Sequence, residues 1–194
     1  MRSEIAPIIK SGLEESAQVK LAMAKNMLGE IERMVTLVLA AINRGGKVVV
    51  FGNGGSAADA QHLVGELVGR FKLERPALPA IALSTNTSIL TAIANDYGYD
   101  VVFSRQIEAL VTEKDVVIGI STSGRSPNVI EAIKAAKKKG AKTIVLTGNK
   151  EGKLAKVADL VLAVPSGNFS RVQEAHTTII HIVCELVEKE LFGR

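Results

Sequence analysis

Five short, almost wholly apolar segments recur along the 194-residue chain, separated by longer stretches with helical periodicity. A strand that is apolar on both sides has to be covered on both sides, which is typical of parallel sheets whose strands are joined by helices. The sequence therefore predicts an α/β fold, a three-layer α-β-α sandwich around a five-stranded parallel sheet. The predicted strands are residues 47–51, 80–83, 115–120, 142–146 and 159–164.

A long helical segment precedes the first predicted strand. From about residue 3 to residue 43 apolar residues recur at helical spacing, and either two helices or one helix broken near Gly29 fits the pattern. The apolar stripe must be buried somewhere, and a partner subunit is a reasonable candidate. We interpret residues 1–194 as one domain whose segment 1–44 packs against partner subunits. Further helices are predicted over 56–70, 88–95, 103–110, 128–139, 153–158 and 171–191.

The third predicted strand runs into a loop rich in hydroxyl groups. Gly124 lets a backbone approach closely, and Pro127 suits the first position of a helix, whose N-terminus favours an anion. The loop lacks the lysine and the glycine spacing of a nucleotide P-loop, so a single phosphomonoester such as a sugar phosphate fits better. The alternative is an ordinary turn whose serines cap the helix. The hydroxyl side chains are those of Ser121, Thr122, Ser123 and Ser126.

A second polar loop, Gly52-Asn-Gly-Gly-Ser56, follows the first predicted strand. Ligands of open parallel sheets bind beyond the carboxyl ends of the strands, so both loops are expected to meet at one edge. The dinucleotide pattern GxGxxG is satisfied only if Ala57 replaces its third glycine, and no acidic residue follows Leu83 to hold a ribose. A dinucleotide site is therefore not favoured.

The chain has three histidines. His62 and Glu66 lie one turn apart on one predicted helix face and can bind one cation or orient each other, although such pairs are more often surface pairs. His181 lies between isoleucines on the last predicted helix, where a satisfied core histidine is the alternative. His176 is not obviously on the same face as His181, so we predict a structural role for it.

Composition argues against several classes of protein. The net charge is +4, but the positive residues form no binding face and aromatic residues make up only 4%, so no nucleic-acid partner is predicted. Cys184 is the sole cysteine, which excludes an intramolecular disulfide and indicates a buried structural thiol. The N-terminus has no apolar leader and no apolar run approaches ~20 residues, so we expect no membrane association and a cytoplasmic location.

Three separated motifs carry a family resemblance over nearly the whole chain. They are Gly52-Asn-Gly-Gly-Ser-Ala-Ala-Asp-Ala-Gln-His62 with Glu66, Ser121-Thr-Ser-Gly124, and Val172-Gln-Glu with His176 and His181. In this order they resemble the phosphoheptose isomerases of the sugar isomerase (SIS) domain superfamily. The resemblance implies conversion of sedoheptulose 7-phosphate into D-glycero-D-manno-heptose 7-phosphate, the entry to activated heptoses for surface polysaccharide such as lipopolysaccharide.

The same resemblance implies a homotetramer with active sites at subunit interfaces and one Zn²⁺ ion per subunit in some members. By position, Glu66 resembles the general base and His181 the general acid. The matching zinc ligands are His62, Glu66, Gln173 and His181. The implied substrate-binding residues are Asn53, Gly54, Gly55, Ser56, Glu66, Ser121, Thr122, Ser123, Ser126 and Gln173, with Arg70, Asn95 and Asp96 as further candidates for the polar wall.

The chemistry of isomerisation is compatible with these residues. A ketose and an aldose interconvert through a cis-enediol when one group moves a proton between adjacent carbons and another protonates the carbonyl oxygen, and Glu66 with His181 forms such a pair. Zinc could instead polarise the carbonyl, although Gln173 would be an unusual zinc ligand. Zinc held by Glu66 and His181 would hinder their proton exchange, so metal-independent transfer stays open.

The chain departs from the family at one position, and it has one rival interpretation. Isomerases usually place an aspartate just before the segment Val172-Gln173, and Asn168 or Ser170 must take its place here. The rival is a non-catalytic regulator of the same fold that binds the replication initiator protein. Such regulators typically lose the second histidine of the last helix and depart from the Ser-Thr-Ser-Gly loop, so His181 and the intact loop favour the enzyme.

Overall fold

The computed structural model describes residues 2–148 and 152–193. Two opening helices are followed by strands that helices separate, as predicted, except that the described residues between the last two strands form turns. In chain order the elements are α1 (Arg2–Asn26), α2 (Leu28–Asn43), β1 (Val48–Gly52), α3 (Gly55–Val68), β2 (Ala80–Ala82), α4 (Thr87–Tyr97), a 3₁₀ turn (Tyr99–Val101), α5 (Ser104–Leu110), β3 (Val116–Ser121), α6 (Pro127–Lys138), β4 (Lys142–Thr147), β5 (Leu160–Ala163) and α7 (Phe169–Phe192).

The sheet has five strands in the order β2-β1-β3-β4-β5, and every pairing is parallel. This confirms the predicted α/β sandwich. Val48 of β1 pairs with Ala80 of β2 on one side and with Val116 of β3 on the other. The chain leaves β1 towards one edge of the sheet and leaves β3 towards the other, so β1 and β3 flank the point where the strand order reverses. Open parallel sheets bind ligands in the crevice at such a point.

Successive residues of each strand supply two separate cores because their side chains point to opposite faces. Val48 and Val50 pack in one core with residues of α1, α2, α3 and α7. Val49 and Phe51 pack in the other with residues of α5 and α6. Every residue of β1 and β3 is buried. This double coverage is the reason that these strands appear in the sequence as continuous apolar runs.

The opening helices meet at Met27, two residues before the predicted break at Gly29. Hydrogen bonds from Met27 N to Met23 O (2.9 Å) and from Ile31 N to Met27 O (3.1 Å) continue across the junction, so α2 follows α1 without a loop. Helix α2 packs against α7 and β5. Helix α1 leaves a row of large apolar side chains exposed by 53–71%, namely Ile5, Ile8, Ile9, Leu13 and Leu21.

The short helix predicted over residues 153–158 is wrong. Residues 152–157 form a bend and turns. Hydrogen bonds from Ala155 N to Gly152 O and from Val157 N to Leu154 O close single turns, and Leu154 N donates instead to Gly124 O (3.2 Å). So short a segment cannot offset the cost of helix nucleation, and the fully buried Leu154 fixes it against the hydroxyl loop.

Candidate active site

The hydroxyl loop, residues 121–126, joins β3 to α6 at the strand-order reversal. Gly124 adopts a φ of 64°, which favours glycine, and its N–H donates to Ser121 O (3.0 Å) to close the turn. The hydroxyls of Ser121 and Ser126 lie 2.9 Å apart. Ser126 occupies the N-cap position of α6 without a side-chain capping bond. Its hydroxyl thus points into the loop, whereas the hydroxyl of a helix-capping serine would point towards the first turn of the helix.

A pair of asparagines ties this loop to the glycine loop, residues 52–55. Asn53 Nδ2 donates to Asn128 Oδ1 and Asn128 Nδ2 donates to Asn53 Oδ1, both at 2.9 Å. Asn128 is buried, and the Tyr99 hydroxyl also donates to Asn53 Oδ1 (3.3 Å). These contacts use one of the two N–H donors of the Asn53 amide, which leaves the other for a ligand. Asn128 is not among the residues predicted from the sequence.

The amide of Gln173 lies over the start of α3. A methyl group built on Gly55 would lie 1.7 Å from Gln173 Nε2, so a larger residue at this position would displace the Gln173 amide. Gly54 and Gly55 are exposed, whereas Ser56 is buried and packs against Gly52. The structure therefore brings Gln173 of α7 to the glycine loop, as expected if both contact one ligand.

His62, Glu66 and His181 form the acid–base cluster, in which α3 and α7 meet. His62 Nε2 lies 3.0 Å from Glu66 Oε1 and 3.2 Å from His181 Nε2. The two imidazole rings meet nearly edge-on, with centroids 4.9 Å apart. A neutral His62 has one N–H for its two ring nitrogens, so Nε2 cannot be a donor and an acceptor at once. The cluster is therefore suited to share a proton or a cation.

The donor set of the acid–base cluster fits a divalent cation. One ligand atom from each side chain lies within 4.8 Å of the others. Two ligands of a tetrahedral zinc ion, each about 2.0–2.1 Å from the metal, lie roughly 3.3–3.4 Å from each other. The observed separation of 3.2 Å between the two histidine nitrogens matches this edge. Gln173, the fourth predicted ligand, lies two turns before His181 along α7, and an amide is a less favoured zinc donor.

Two neighbours shape the acid–base cluster. The Phe71 ring lies 5.6 Å from the His181 ring, centroid to centroid. Asp59, one turn before His62 on α3, is buried and its Oδ1 accepts from the Thr177 hydroxyl (3.0 Å). Burial raises the pKa of Asp59, although the Thr177 bond and the nearby His62 oppose the rise. Asp59 is absent from the predicted set, and its i, i+3 spacing to His62 is the signal that could have indicated it.

Other predicted residues lie apart from these contacts. Arg70 is exposed and pairs with Glu74 (3.6 Å). Asn95 and Asp96 are exposed and hydrogen-bond to each other (2.8 Å). In residues 2–148 and 152–193 no hydrogen bond or ion pair joins these three to the loops.

Asn168 caps α7, since its Oδ1 accepts from Ser170 N (3.1 Å). Its Nδ2 donates to Glu15 of α1 (3.0 Å). The residue that stands near the expected aspartate therefore anchors a helix terminus and the opening helix.

The remaining histidine and the cysteine are buried. Burial lowers the pKa of His176 to about 4, although the backbone of Thr147 opposes the shift, so the imidazole is neutral near pH 7. Burial, with the charge of Glu66 second, raises the pKa of the Cys184 thiol to about 12. Both side chains fit structural roles. None of the described helices combines the length and the apolar character that crossing a bilayer requires.

Comparisons with known proteins agree with this geometry. The SIS domain family matches residues 13–148. The phosphoheptose isomerase of Citrifermentans bemidjiense is 58% identical over 184 residues, which cover 95% of this chain and 96% of that protein. The solved phosphoheptose isomerase of Neisseria gonorrhoeae superposes with a TM-score of 0.90 at 41% identity, covering 95% of this chain and 99% of that one. That of Francisella tularensis gives 0.92 at 37% identity, with coverage of 95% and 98%. The chain belongs to the SIS domain family and, within it, to the phosphoheptose isomerases.

Proposed function

We propose that this protein isomerises sedoheptulose 7-phosphate to D-glycero-D-manno-heptose 7-phosphate through an enediol. The observation that carries the proposal is the convergence of Glu66 with His62 and His181 from two helices. A carboxylate beside an imidazole is the pair that proton transfer next to a carbonyl requires. The regulatory alternative is not favoured, because relatives with more than half of their residues identical are phosphoheptose isomerases.

The hydroxyl loop is the proposed seat of the substrate phosphate. Hydroxyl groups and the N-terminus of α6 supply neutral donors and a partial positive charge, which suit a phosphomonoester. Asn53 offers its remaining N–H to a sugar hydroxyl, and Gln173 lies beside it over Gly55. These contacts would orient the sugar chain along the crevice between β1 and β3.

The proposed chemistry assigns one proton to each step. Glu66 takes a proton from C1 of the ketose while His181 gives a proton to the O2 carbonyl oxygen, which forms the enediol. His181 then takes the proton from O1 as Glu66 returns its proton to C2. The carbonyl has moved from C2 to C1, and both side chains end in their starting protonation states. Acid–base catalysis of this kind contributes roughly 10²–10⁴-fold to a rate.

A divalent cation such as Zn²⁺ would be held by His62, Glu66 and His181. Gln173 stays a candidate ligand only from a neighbouring copy, because within one chain its amide lies over Gly55, two turns before His181 on α7. When bound, such an ion polarises a carbonyl oxygen and stabilises negative charge that develops on it. The proton transfers above are assigned to the side chains themselves.

We also propose that copies of the chain associate and share their active sites. Glu66 lies eleven residues after Gly55 on α3, which is about 16 Å along the helix. Six C–C bonds of about 1.5 Å let a heptose chain span at most roughly 9 Å. This mismatch favours a site in which the hydroxyl loop of one copy faces the acid–base cluster of another. The exposed apolar row on α1 supports association, and the family resemblance implies a tetramer.

The direct test is an assay of purified protein with sedoheptulose 7-phosphate, with the aldose product followed by NMR. We expect Glu66→Gln and His181→Gln to lower kcat at least 100-fold without changing the assembly. Ser121→Ala and Ser123→Ala should chiefly raise KM. The proposal fails if the wild-type protein forms no heptose 7-phosphate, or if either cluster variant keeps full activity.

A further inference from the structure

A buried ion pair connects the two helices that carry the acid–base cluster. Arg75, in the segment after α3, and Glu188, on α7, have side chains only 1% and 2% exposed, and Arg75 Nε lies 3.0 Å from Glu188 Oε1. Charged side chains are almost never so deeply buried unless they are fully paired. Neither residue belongs to the sites described above.

Arg75 closes the end of α3 that bears Glu66. The last carbonyls of a helix lack intrahelical partners, and here the guanidinium supplies them. Its Nη2 donates to the carbonyl of Glu66 itself (2.8 Å), and its Nη1 donates to Leu67 O (2.7 Å). A longer contact joins Nη1 to Gly69 O (3.3 Å). The backbone of the proposed base is therefore fixed by a rigid, multiply bonded group.

Glu188 organises the segment that follows. It lies seven residues, or about two turns, beyond His181 and so on the same side of α7. Its carboxylate accepts hydrogen bonds from consecutive backbone N–H groups, those of Phe71 (3.0 Å), Lys72 (2.6 Å) and Leu73 (2.8 Å). Burial opposes ionisation of Glu188, but these bonds and Arg75 outweigh it and lower the pKa of the carboxyl. The carboxylate thus stays charged at neutral pH.

Phe71 transmits this anchoring to the acid–base cluster. Its backbone is held by Glu188, and its ring packs 5.6 Å from the ring of His181. The His181 ring also contacts His62, at 4.9 Å between centroids and at a steep angle. The position of Phe71 therefore limits where the His181 imidazole can lie relative to Glu66.

We propose that the Arg75–Glu188 pair positions the acid–base cluster: Arg75 fixes the backbone of Glu66, while Glu188 fixes Phe71 against His181. Both act through other groups and are positioning residues. This inference rests on the proposed isomerase function for its effect on rate, but its geometric content can be measured without any substrate.

The first test is Glu188→Gln, which keeps the shape but removes the charge and half of the acceptor capacity. We expect kcat to fall about 10- to 100-fold, since a small misplacement of catalytic groups has effects of this size. KM should change less than roughly twofold, because the hydroxyl loop lies on other elements. The matched control is Glu185→Gln on the same helix, which removes an exposed pair with Lys72 and should leave both constants unchanged.

The NMR chemical shift of the His181 ring tests positioning directly. If the Arg75–Glu188 pair only stabilised the fold, its replacement would leave this chemical shift unchanged. The chain has three histidines, so the ring C–H signals are few, and His181→Gln assigns the relevant one. Glu188→Gln should shift the His181 signal, whereas Glu185→Gln should not. If the wild-type protein proves inactive, the functional proposal fails, but this signal still decides whether the pair positions the cluster.

The double variant Arg75→Met with Glu188→Leu guards against simple unfolding. Replacing a whole buried ion pair with apolar side chains often preserves stability, whereas removing one partner does not. The backbone groups that the pair satisfied lose these partners, so we expect the double variant to melt below the wild-type Tm but to stay folded, and to show the low kcat and the shifted His181 signal. A folded variant of either kind with wild-type kcat, or with an unmoved His181 signal, would overturn the inference.

Discussion

At the scale of single residues, Asp59 is a buried carboxyl group whose hydrogen bonding is incomplete, an arrangement that does not favour stability. The carboxyl is buried, one oxygen bonds to Thr177, and the other, Oδ2, has no hydrogen-bond partner in the described residues. Buried polar groups without partners cost stability, and they are concentrated at functional sites. Asp59 lies one turn from His62, so we expect it to be retained for the chemistry of the site.

Replacing Asp59 with asparagine should therefore stabilise the metal-free protein at neutral pH. Because burial raises the pKa of Asp59 above its ordinary value of 3.8, the group favours folding when protonated and disfavours it when ionised. The gain in Tm, about 2–4 °C for each kcal/mol, should be largest near pH 7 and should vanish as the pH falls towards the ordinary pKa. Thermal melts at several pH values, with exposed Asp100→Asn as the control, measure this. A lower Tm for Asp59→Asn at pH 7 would contradict it.

At the scale of elements, the junction between the two loops depends on Asn128, at the start of α6. Asn128→Ala removes both amide bonds that orient Asn53 and leaves the hydroxyl loop otherwise intact. Two hydrogen bonds of about 1 kcal/mol each can change the binding of substrate by at most roughly 30-fold, and less when the Tyr99 contact still holds Asn53. We expect KM for sedoheptulose 7-phosphate to rise 3- to 10-fold, by the same principle, with a smaller change in kcat. Asn43→Ala, at the exposed end of α2, is the control; equal KM values for the two variants would refute the role of the asparagine pair.

Elements held by local chemistry could be predicted from the sequence, and those held by distant partners could not. The buried strands β1 and β3 appear as apolar runs, and Pro127 indicates the start of α6. The turns at 152–157 depend on a bond from Leu154 to Gly124, which no local pattern encodes. The two asparagines are separated by 75 positions in the sequence, and Arg75 and Glu188 are separated by 113 positions. No local pattern indicates such distant partners, so both pairs are visible only in the fold.

Only part of the candidate site could be predicted from residue types. Glycine and serine at fixed spacings indicate the two loops, whereas the roles predicted for Glu66 and His181 depend on the family resemblance, since spacing alone also fits a surface pair and a core histidine. Asp59 and Asn128 carry no such mark, since a buried carboxyl or amide has many structural uses. Arg70, Asn95 and Asp96 remain predictions, because in the described part of one chain they contact each other or Glu74 and not the loops.

At the scale of the whole molecule, we expect complementation between variants that are impaired in different parts of the site. If the hydroxyl loop of one copy faces the acid–base cluster of another, co-assembled Glu66→Gln and Ser121→Ala/Ser123→Ala chains should form some sites with both parts intact. Activity at low substrate should then exceed that of either parent. Co-assembly of Glu66→Gln chains with His181→Gln chains should give no gain in activity, because both residues belong to the cluster of a single chain and every cluster then lacks one of them. Mixed assemblies no more active than their parents would contradict shared sites.

The proton transfer between adjacent carbons is tested most directly in deuterated water. Incubation of the protein with sedoheptulose 7-phosphate in D₂O should give heptose 7-phosphate that carries deuterium at C2, because the proton held by Glu66 exchanges with solvent before it returns. Glu66→Gln should give neither product nor label. Labelled product formed by Glu66→Gln at the wild-type rate would contradict the assignment of Glu66 as the group that moves the proton.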